Sequence, residues 1–366
     1  MTRDKRFLII NPFGIGDVLF TTPAIRAIKK ACPQGYIAYW CNERVAPILK
    51  NNPYIDKVIA LSRGDIKKIY RRSWFDGLKK SFSLFKAIRA LKCGICLDFS
   101  LDHRYSLISK FCSIRKRVGF DYKGRGRFLT DKIEIDSYEQ KHVIEYYLEL
   151  LKPLNIASDG ADMELYNNSV VLEKARQQFK DLGIGETEVK IGIAPAGGAS
   201  WGKDSGLKHW PAKNFGYLAD KLIEDTAKVV VLADVSEVQV SQEMIKAMRN
   251  KPVDLSGKTD LEQLAAIIAN LDLLICNDGG PLHMAKALRI KTVSIFGPVD
   301  ELVYGPYPPA SSDKVIKSDA DCRPCYRQFK MPECIFERKC IEDIPVEKVY
   351  EAAKELINQK GEKSGE

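Results

Sequence analysis

A chain of 366 residues is too long for one hydrophobic core of ordinary size, so two domains are expected. Its 45% hydrophobic and 29% charged content is that of an ordinary soluble globular protein, and no apolar run approaches the roughly 18 residues that would span a bilayer. The net charge of +9 is unevenly placed and calls for an explanation of its own.

Phe7-Leu-Ile-Ile10 is apolar without alternation, the pattern of a buried strand in a parallel sheet. It follows Met-Thr-Arg-Asp-Lys-Arg directly, with neither the apolar core nor the cleavage site of a signal peptide, so a cytoplasmic location is expected. Gly14-Ile-Gly16-Asp17 is the turn, and a helix from about Val18 to Lys30 puts Leu19, Ala24, Ile25, Ala27 and Ile28 inward. The turn lacks the third glycine and the later acid of a dinucleotide fingerprint. Its notable residue is Asp17, a carboxylate at the C-terminal end of the first strand, where open α/β sheets bind ligands. Strands are expected near 36–40, 58–61, 94–98, 117–120 and 131–135, and helices near 43–50, 78–91, 104–112 and 141–152. This alternation argues for a parallel sheet with helices on both faces.

Residues 153–190 are polar, with one helical pattern over 170–182, and mark the boundary region. Alternation then restarts. Strands are expected at 190–195, 228–233, 253–255, 271–276 and 292–296, with helices at 211–224, 236–249, 260–270 and after Pro281. Residues 298–345 read as irregular, and a last helix over 346–359 precedes a polar tail. The implied division is 1–170, 171–345 and a terminal segment 346–366, the first two being similar α/β domains that face a common cleft with their strand C-terminal ends.

Ten Lys/Arg lie between Arg63 and Lys92 against two acids, Asp65 and Asp76, and a second basic cluster runs from Arg115 to Arg127 through Arg117, Lys123 and Arg125. These read either as a solvated surface or as a face for a polyanion: a phosphorylated acceptor, anionic lipid head groups or nucleic acid. Interleaved Trp74, Phe75, Phe82, Phe85, Phe120 and Tyr122 favour the polyanion, and no nucleic-acid motif accompanies them.

In the second half, Asn277-Asp278-Gly279-Gly280-Pro281-Leu-His283 joins a buried-type strand to a short helix. Glycines admit close approach of backbone amides, and the helix start adds partial positive charge, which suits a phosphate or pyrophosphate. Asp278 reads as a helix cap or a ligand contact. His283 sits where its imidazolium is disfavoured, so it reads as a hydrogen-bond donor to phosphate, or as a packed residue. The Gly-rich loop from Pro195 to Pro211 delivers Lys208 just ahead of a helix, with Ser200 and backbone amides as further donors.

Taken in order, Gly14-Ile-Gly16-Asp17-Val-Leu…Thr22-Pro-Ala-Ile-Arg26, Arg117-Val-Gly-Phe120, Gly-Gly-Ala-Ser200…Lys208-His-Trp-Pro211, Asn277-Asp-Gly-Gly-Pro-Leu-His283-Met-Ala-Lys-Ala-Leu and Phe296-Gly-Pro298 resemble glycosyltransferase family 9, the ADP-heptose:lipopolysaccharide heptosyltransferases and their relatives. The resemblance runs from about residue 6 to residue 345. It implies a GT-B fold, inversion at the anomeric carbon, no catalytic metal, a nucleotide-sugar donor with ADP-heptose leading, and an anionic glycolipid acceptor met at the inner face of the membrane. It implies Asp17 as the base and Lys208 on the leaving phosphate, with Asp278 near the donor sugar and Glu237 on the ribose. Gly279, Gly280, His283 and Ser200 would complete the donor site, and Gly16, Arg117, Lys123 and Arg125 would meet the acceptor. Two departures stand out: Gly279 occupies a position where many members carry Thr or Ser, and Ala233-Asp234 replaces a usual Gly-Gly. Rival readings are a nucleotide-sugar epimerase of the same architecture and a non-catalytic basic lipid- or nucleic-acid-binding protein.

Of ten cysteines, six sit in apolar elements and read as reduced core thiols. Cys322, Cys325, Cys334 and Cys340 are spaced C-x2-C-x8-C-x5-C. That spacing is compatible with a structural zinc or iron–sulfur site, its thiolates favoured by basic neighbours, and also with reduced structural thiols or disulfides.

Overall fold

The computed structural model describes residues 5–61 and 63–359, without the side chains of residues 63–66, 199, 200 and 203. The chain divides into two compact units, Met1–Tyr166 and Asn167–Glu366.

The first unit runs β1 (Arg6–Ile10), α1 (Ile15–Leu19), α2 (Thr22–Ala31), β2 (Tyr36–Cys41), α3 (Ala46–Leu49), β3 (Lys57–Ala60), α4 (Arg63–Arg72), α5 (Trp74–Ala90), β4 (Ile95–Asp98), α6 (His103–Phe111), β5 (Lys116–Asp121), β6 (Asp131–Glu134) and α7 (Val143–Glu149). Its sheet is parallel throughout, in the order β3-β2-β1-β4-β5-β6. The strand order reverses between β1 and β4, and a doubly wound sheet binds its ligand outside the strand ends at such a point.

Two helical expectations needed correction. The helix expected from Val18 to Lys30 begins earlier and breaks: Thr21 and Thr22 hydroxyls donate back to the carbonyls of Val18 and Leu19 at 2.6 and 2.7 Å, and Pro23 has no amide to continue the ladder. The helix expected at 78–91 starts at Trp74 and is preceded by α4, with Ser73 capping it through the Asp76 amide at 3.2 Å.

The second unit runs α8 (Ser169–Asp181), β7 (Lys190–Ala194), a 3-10 stretch (Ala199–Lys208), α9 (Ala212–Glu224), β8 (Lys228–Val231), α10 (Val238–Lys246), β9 (Val253–Asp254), α11 (Leu261–Ile268), β10 (Leu273–Asn277), α12 (Gly280–Ala287), β11 (Lys291–Phe296), α13 (Glu301–Tyr304), β12 (Asp313–Lys317), α14 (Lys339–Glu342) and α15 (Val346–Asn358). Its sheet is again parallel, β12-β11-β10-β7-β8-β9, so the reversal lies between β7 and β10. The segment 298–345 is less irregular than its prolines suggest. It supplies the edge strand β12, of which Ile316 alone is buried, so its apolar signal is weak. Val349, Ala352, Ala353 and Leu356 of α15 are buried in the same core as Trp210, Phe215, Leu218 and Ile275, so the terminal helix is part of this unit.

Candidate functional site

In the first unit, the loop after β1 is wired into shape by two asparagines. Asn11, fully buried, donates its side-chain amide to the Asp17 carbonyl at 2.9 Å, and its side-chain oxygen accepts the Phe13 amide at 3.1 Å. Asn42 holds the carbonyls of Pro12 and Phe13. Asp17 is half-buried in α1, and its Oδ2 accepts the Gly14 amide at 3.2 Å. Gly16 lies in the same turn, its carbonyl accepting from the Phe20 amide.

A second carboxylate stands at this switch point. Asp98 ends β4 in register with Ile10 of β1 and is 4% exposed. Burial pushes its carboxyl up to about 7, against the opposing hydrogen bond from the Ser100 amide at 2.9 Å. The sequence reading passed over it. An acid closing the apolar run Ile-Cys-Leu-Asp98 becomes informative only once β4 is known to lie beside β1.

The basic residues between 115 and 127 do not act as one group. The Arg117 guanidinium is turned onto backbone, donating to the carbonyls of Phe128 at 2.7 Å, Arg115 at 3.1 Å and Ile114. Lys123 and Arg125 are exposed and lie over the same Tyr122 ring, at 4.9 and 5.2 Å from its centroid. Asp121 braces that turn by accepting from the Gly126 amide at 2.8 Å and Lys132 Nζ at 2.6 Å.

In the second unit, the loops after β7 and β10 close on each other. Asn277 ties them, accepting the Trp210 amide at 2.9 Å and donating to the Pro195 carbonyl at 2.7 Å. Gly197 and Gly198 have φ of +133° and +79°, a backbone that disfavours any side chain. Gly279 is extended, but a Cβ there would sit 3.3 Å from the Gly198 nitrogen and 3.5 Å from the Gly197 Cα. A side chain at 279 would therefore stand in close contact with the backbone of the Gly197–Gly198 loop.

Lys208 reaches into this juncture, 5% exposed, its ammonium paired with the carboxylate of Asp278 and lying 4.4 Å from the centroid of the Trp201 ring. His283, in the first turn of α12, is 5% exposed, and burial together with the nearby Lys208 charge pushes its imidazole down to about 3, so it is neutral at physiological pH. Glu237 accepts the Gly197 amide through Oε1 at 3.2 Å, and burial moves its carboxyl up. His209 Nε2 meets the Gly197 carbonyl at 2.6 Å, so Gly197 is held from both sides. Asp234, in the Ala-Asp pair, caps the turn that carries Glu237 by accepting the Ser236 amide at 2.9 Å. The Ser200 side chain lies outside the described residues.

Of the alternatives for the cysteine cluster, the metal site finds no support. Among the described residues no three or more His, Cys, Asp or Glu side chains are arranged to hold a metal ion, and all ten cysteines are free thiols. Cys340 is buried against Gly297 and Ile341, Cys334 is exposed and accepts the Arg338 amide at 3.3 Å, and Cys325 lies 4.0 Å from the Met331 sulfur. Burial pushes the Cys340 thiol up to about 11 and raises that of Cys325, so basic neighbours do not make them thiolates. Ordinary contacts hold the segment instead. Arg323 donates to the Gly297 carbonyl at 3.1 Å and to Glu301 at 2.8 Å, and Tyr326 packs on Trp201 with ring centroids 4.5 Å apart. Arg338 donates to the His209 carbonyl, and the Ile344 carbonyl accepts the Trp210 indole at 2.9 Å. This collar around the Lys208 loop was not legible in the sequence.

A model of the family described as "Glycosyltransferase family 9 (heptosyltransferase)" matches residues 81–335, more than half of the chain. The chain is 25% identical over 350 residues to lipopolysaccharide heptosyltransferase 3 of Escherichia coli K12, covering 93% of this chain and 95% of that protein. A crystal structure of a family 9 glycosyltransferase from Veillonella parvula superposes with a TM-score of 0.80 at 24% identity, covering 98% and 99% of the two chains. The E. coli ADP-heptose lipopolysaccharide heptosyltransferase II structure superposes with a TM-score of 0.75 at 19% identity over 97% and 99%. The fold these likenesses establish is GT-B, built from two Rossmann-like units.

Proposed function

We propose, from the premise that this chain belongs to glycosyltransferase family 9 and is a glycosyltransferase, that it moves a heptosyl group from ADP-heptose to a hydroxyl of a lipopolysaccharide or lipooligosaccharide inner core. The donor is the one named for heptosyltransferase II of E. coli, and the acceptor class is the one named for the curated relative. The reaction is an inverting displacement that needs no metal ion. Contact with the acceptor is made at the cytoplasmic face of a membrane, which the protein touches without crossing; no helix among the described residues is long and apolar enough to cross one.

Asp17 takes the proton from the acceptor hydroxyl as it attacks the anomeric carbon. The departing diphosphate gains negative charge in the transition state. Lys208 and the amides at the start of α12, at Gly279 and Gly280, stabilise that charge as fixed donors that need no reorganisation. Neutral His283 donates a hydrogen bond to phosphate, and Ser200 supplies a hydroxyl. Asp278 sets the Lys208 ammonium and meets the donor sugar, while Glu237 meets the ribose through the oxygen that does not hold Gly197. Gly16, with no side chain, leaves room for the acceptor beside Asp17, and Lys123 and Arg125 meet phosphate groups on the acceptor. Arg117 acts indirectly, by fixing the backbone at Phe128, just after the segment that presents them.

The observation that carries this reading is the apposition of Gly197–Gly198 and Gly279 around the buried Lys208–Asp278 pair at the switch point of the second sheet. A thermal-shift panel of ADP-, GDP- and UDP-linked compounds tests it. ADP and ADP-heptose raise the melting temperature and the others do not; stabilisation by UDP compounds alone would point to another donor. Donor incubated without acceptor stays chemically unchanged, whereas an epimerase would isomerise its sugar.

A further inference from the structure

The α4–α5 hairpin carries an apolar face that the fold does not cover. Leu84 and Ile88 of α5 point inward, buried with Leu8, Ile10 and Trp40. Gly77 lets the two helices close: a Cβ there would overlap the Tyr70 ring at 2.4 Å, and the Tyr70 hydroxyl lies 3.3 Å from Ser81 Oγ. The hairpin is thus firmly seated on its inner side. On its outer side Trp74 is 63% exposed, Phe75 79%, Leu78 42% and Phe82 69%. At 3.6 residues per turn these four share roughly 100° of the helix circumference.

Cations surround this stripe. Lys67, Lys68, Arg71, Arg72, Lys79, Lys80, Lys86 and Arg89 are all exposed, and Asp76 is the single acid from Lys67 to Arg89. Large aromatics left in water need a partner. A ring of like charge repels a second copy of the same surface, so self-association is disfavoured. Aromatic and leucine side chains rimmed by Lys and Arg match a surface that is apolar below and anionic above, the boundary of an anionic lipid bilayer.

We infer that α5, through Trp74, Phe75, Leu78 and Phe82, inserts into the head-group region of an anionic membrane, with the flanking Lys and Arg side chains on lipid phosphates. This localises the membrane contact of the function proposed above and rests on that reading only for its biological setting.

The test is flotation of the full-length protein with vesicles of phosphatidylglycerol and phosphatidylethanolamine, or of phosphatidylcholine alone, free of glycolipid and nucleotide sugar. Wild type floats with the anionic vesicles and not the neutral ones, and raised salt weakens the binding. The triple variant W74S/F75S/F82S binds at least tenfold more weakly with an unchanged melting temperature, because these side chains are exposed. K79E/K80E, which leaves the apolar stripe intact, also weakens binding. No flotation of wild type at low salt overturns the inference, as does equal flotation of the triple variant. A wild type that sediments as a dimer while the triple variant is monomeric overturns it too, by assigning the face to a second copy. Because donor and acceptor are absent, these results stand apart from any failure to transfer a sugar.

Discussion

The ammonium of Lys208 and the carboxylate of Asp278 form an ion pair in which both residues are at most 5% exposed, one delivered by the loop after β7 and the other by the loop after β10. A buried pair is costly to break from one side, because the remaining charge is stranded away from water. Lys208→Met is expected to lower unfolding stability by about 3–5 kcal/mol, and Lys208→Met/Asp278→Asn by less than the two single changes together. Urea denaturation of the four proteins measures this. The double variant regains stability without regaining turnover, which separates the structural part of the pair from its work on the leaving phosphate.

Gly197 is gripped by Glu237 through its amide and by His209 through its carbonyl, at a φ of +133°. Gly197→Ala is expected to cost about 1–3 kcal/mol of local strain, relieved by displacement of the loop. Affinity for ADP then falls while the fold persists, which calorimetric titration and a melting curve together would record. An unchanged ADP affinity would remove this loop from the donor site.

Stability should respond to pH through two buried groups of opposite sign. The Asp98 carboxyl is raised from its ordinary value of 3.8 to about 7, so its contribution is complete below pH 4 and is lost as pH rises through 7. The His283 imidazole is lowered from 6.5 to about 3, so its contribution is complete above pH 6.5 and is lost as pH falls toward 3. Asp98→Asn therefore gains relative to wild type between pH 5 and pH 8, and His283→Gln gains relative to wild type between pH 6.5 and pH 4. Urea midpoints across the range check both slopes.

Much of the fold was readable because its signals are local. Apolar runs located most of the strands, and Asp17, Lys208 and Asp278 were conspicuous as charges beside or near glycines. What escaped depends on contacts far apart in sequence or on weak patterns. The α4 sequence Arg-Gly-Asp-Ile-Lys-Lys-Ile-Tyr-Arg-Arg has few apolar residues to reveal a period, and β12 is an edge strand with charges at both ends. Asn277 bonds to Trp210, 67 positions away, and Arg338 to His209, 129 positions away. The cysteine cluster is a different case: its spacing does bring Cys322, Cys325 and Cys334 near enough to raise the Cys340 thiol, but among the described residues no three of them are arranged to hold a metal ion.

With arginine, tyrosine and indole contacts holding the segment around Cys322 to Cys340, metal removal should leave the fold intact. Prolonged dialysis against a strong chelator is expected to change the melting temperature by less than about 2 °C, whereas loss of a structural zinc would remove several kcal/mol. A fall of many degrees would reinstate a metal site.

The most direct measurement compares Asp17→Asn with wild type in two assays on the same preparations: acceptor-dependent release of ADP from ADP-heptose, and equilibrium binding of ADP. Asp17→Asn should release ADP about 10²–10⁴-fold more slowly, as expected for loss of a general base, while binding ADP as wild type does. Turnover close to wild type in Asp17→Asn, with ADP still bound, would show that this carboxylate does not take the proton.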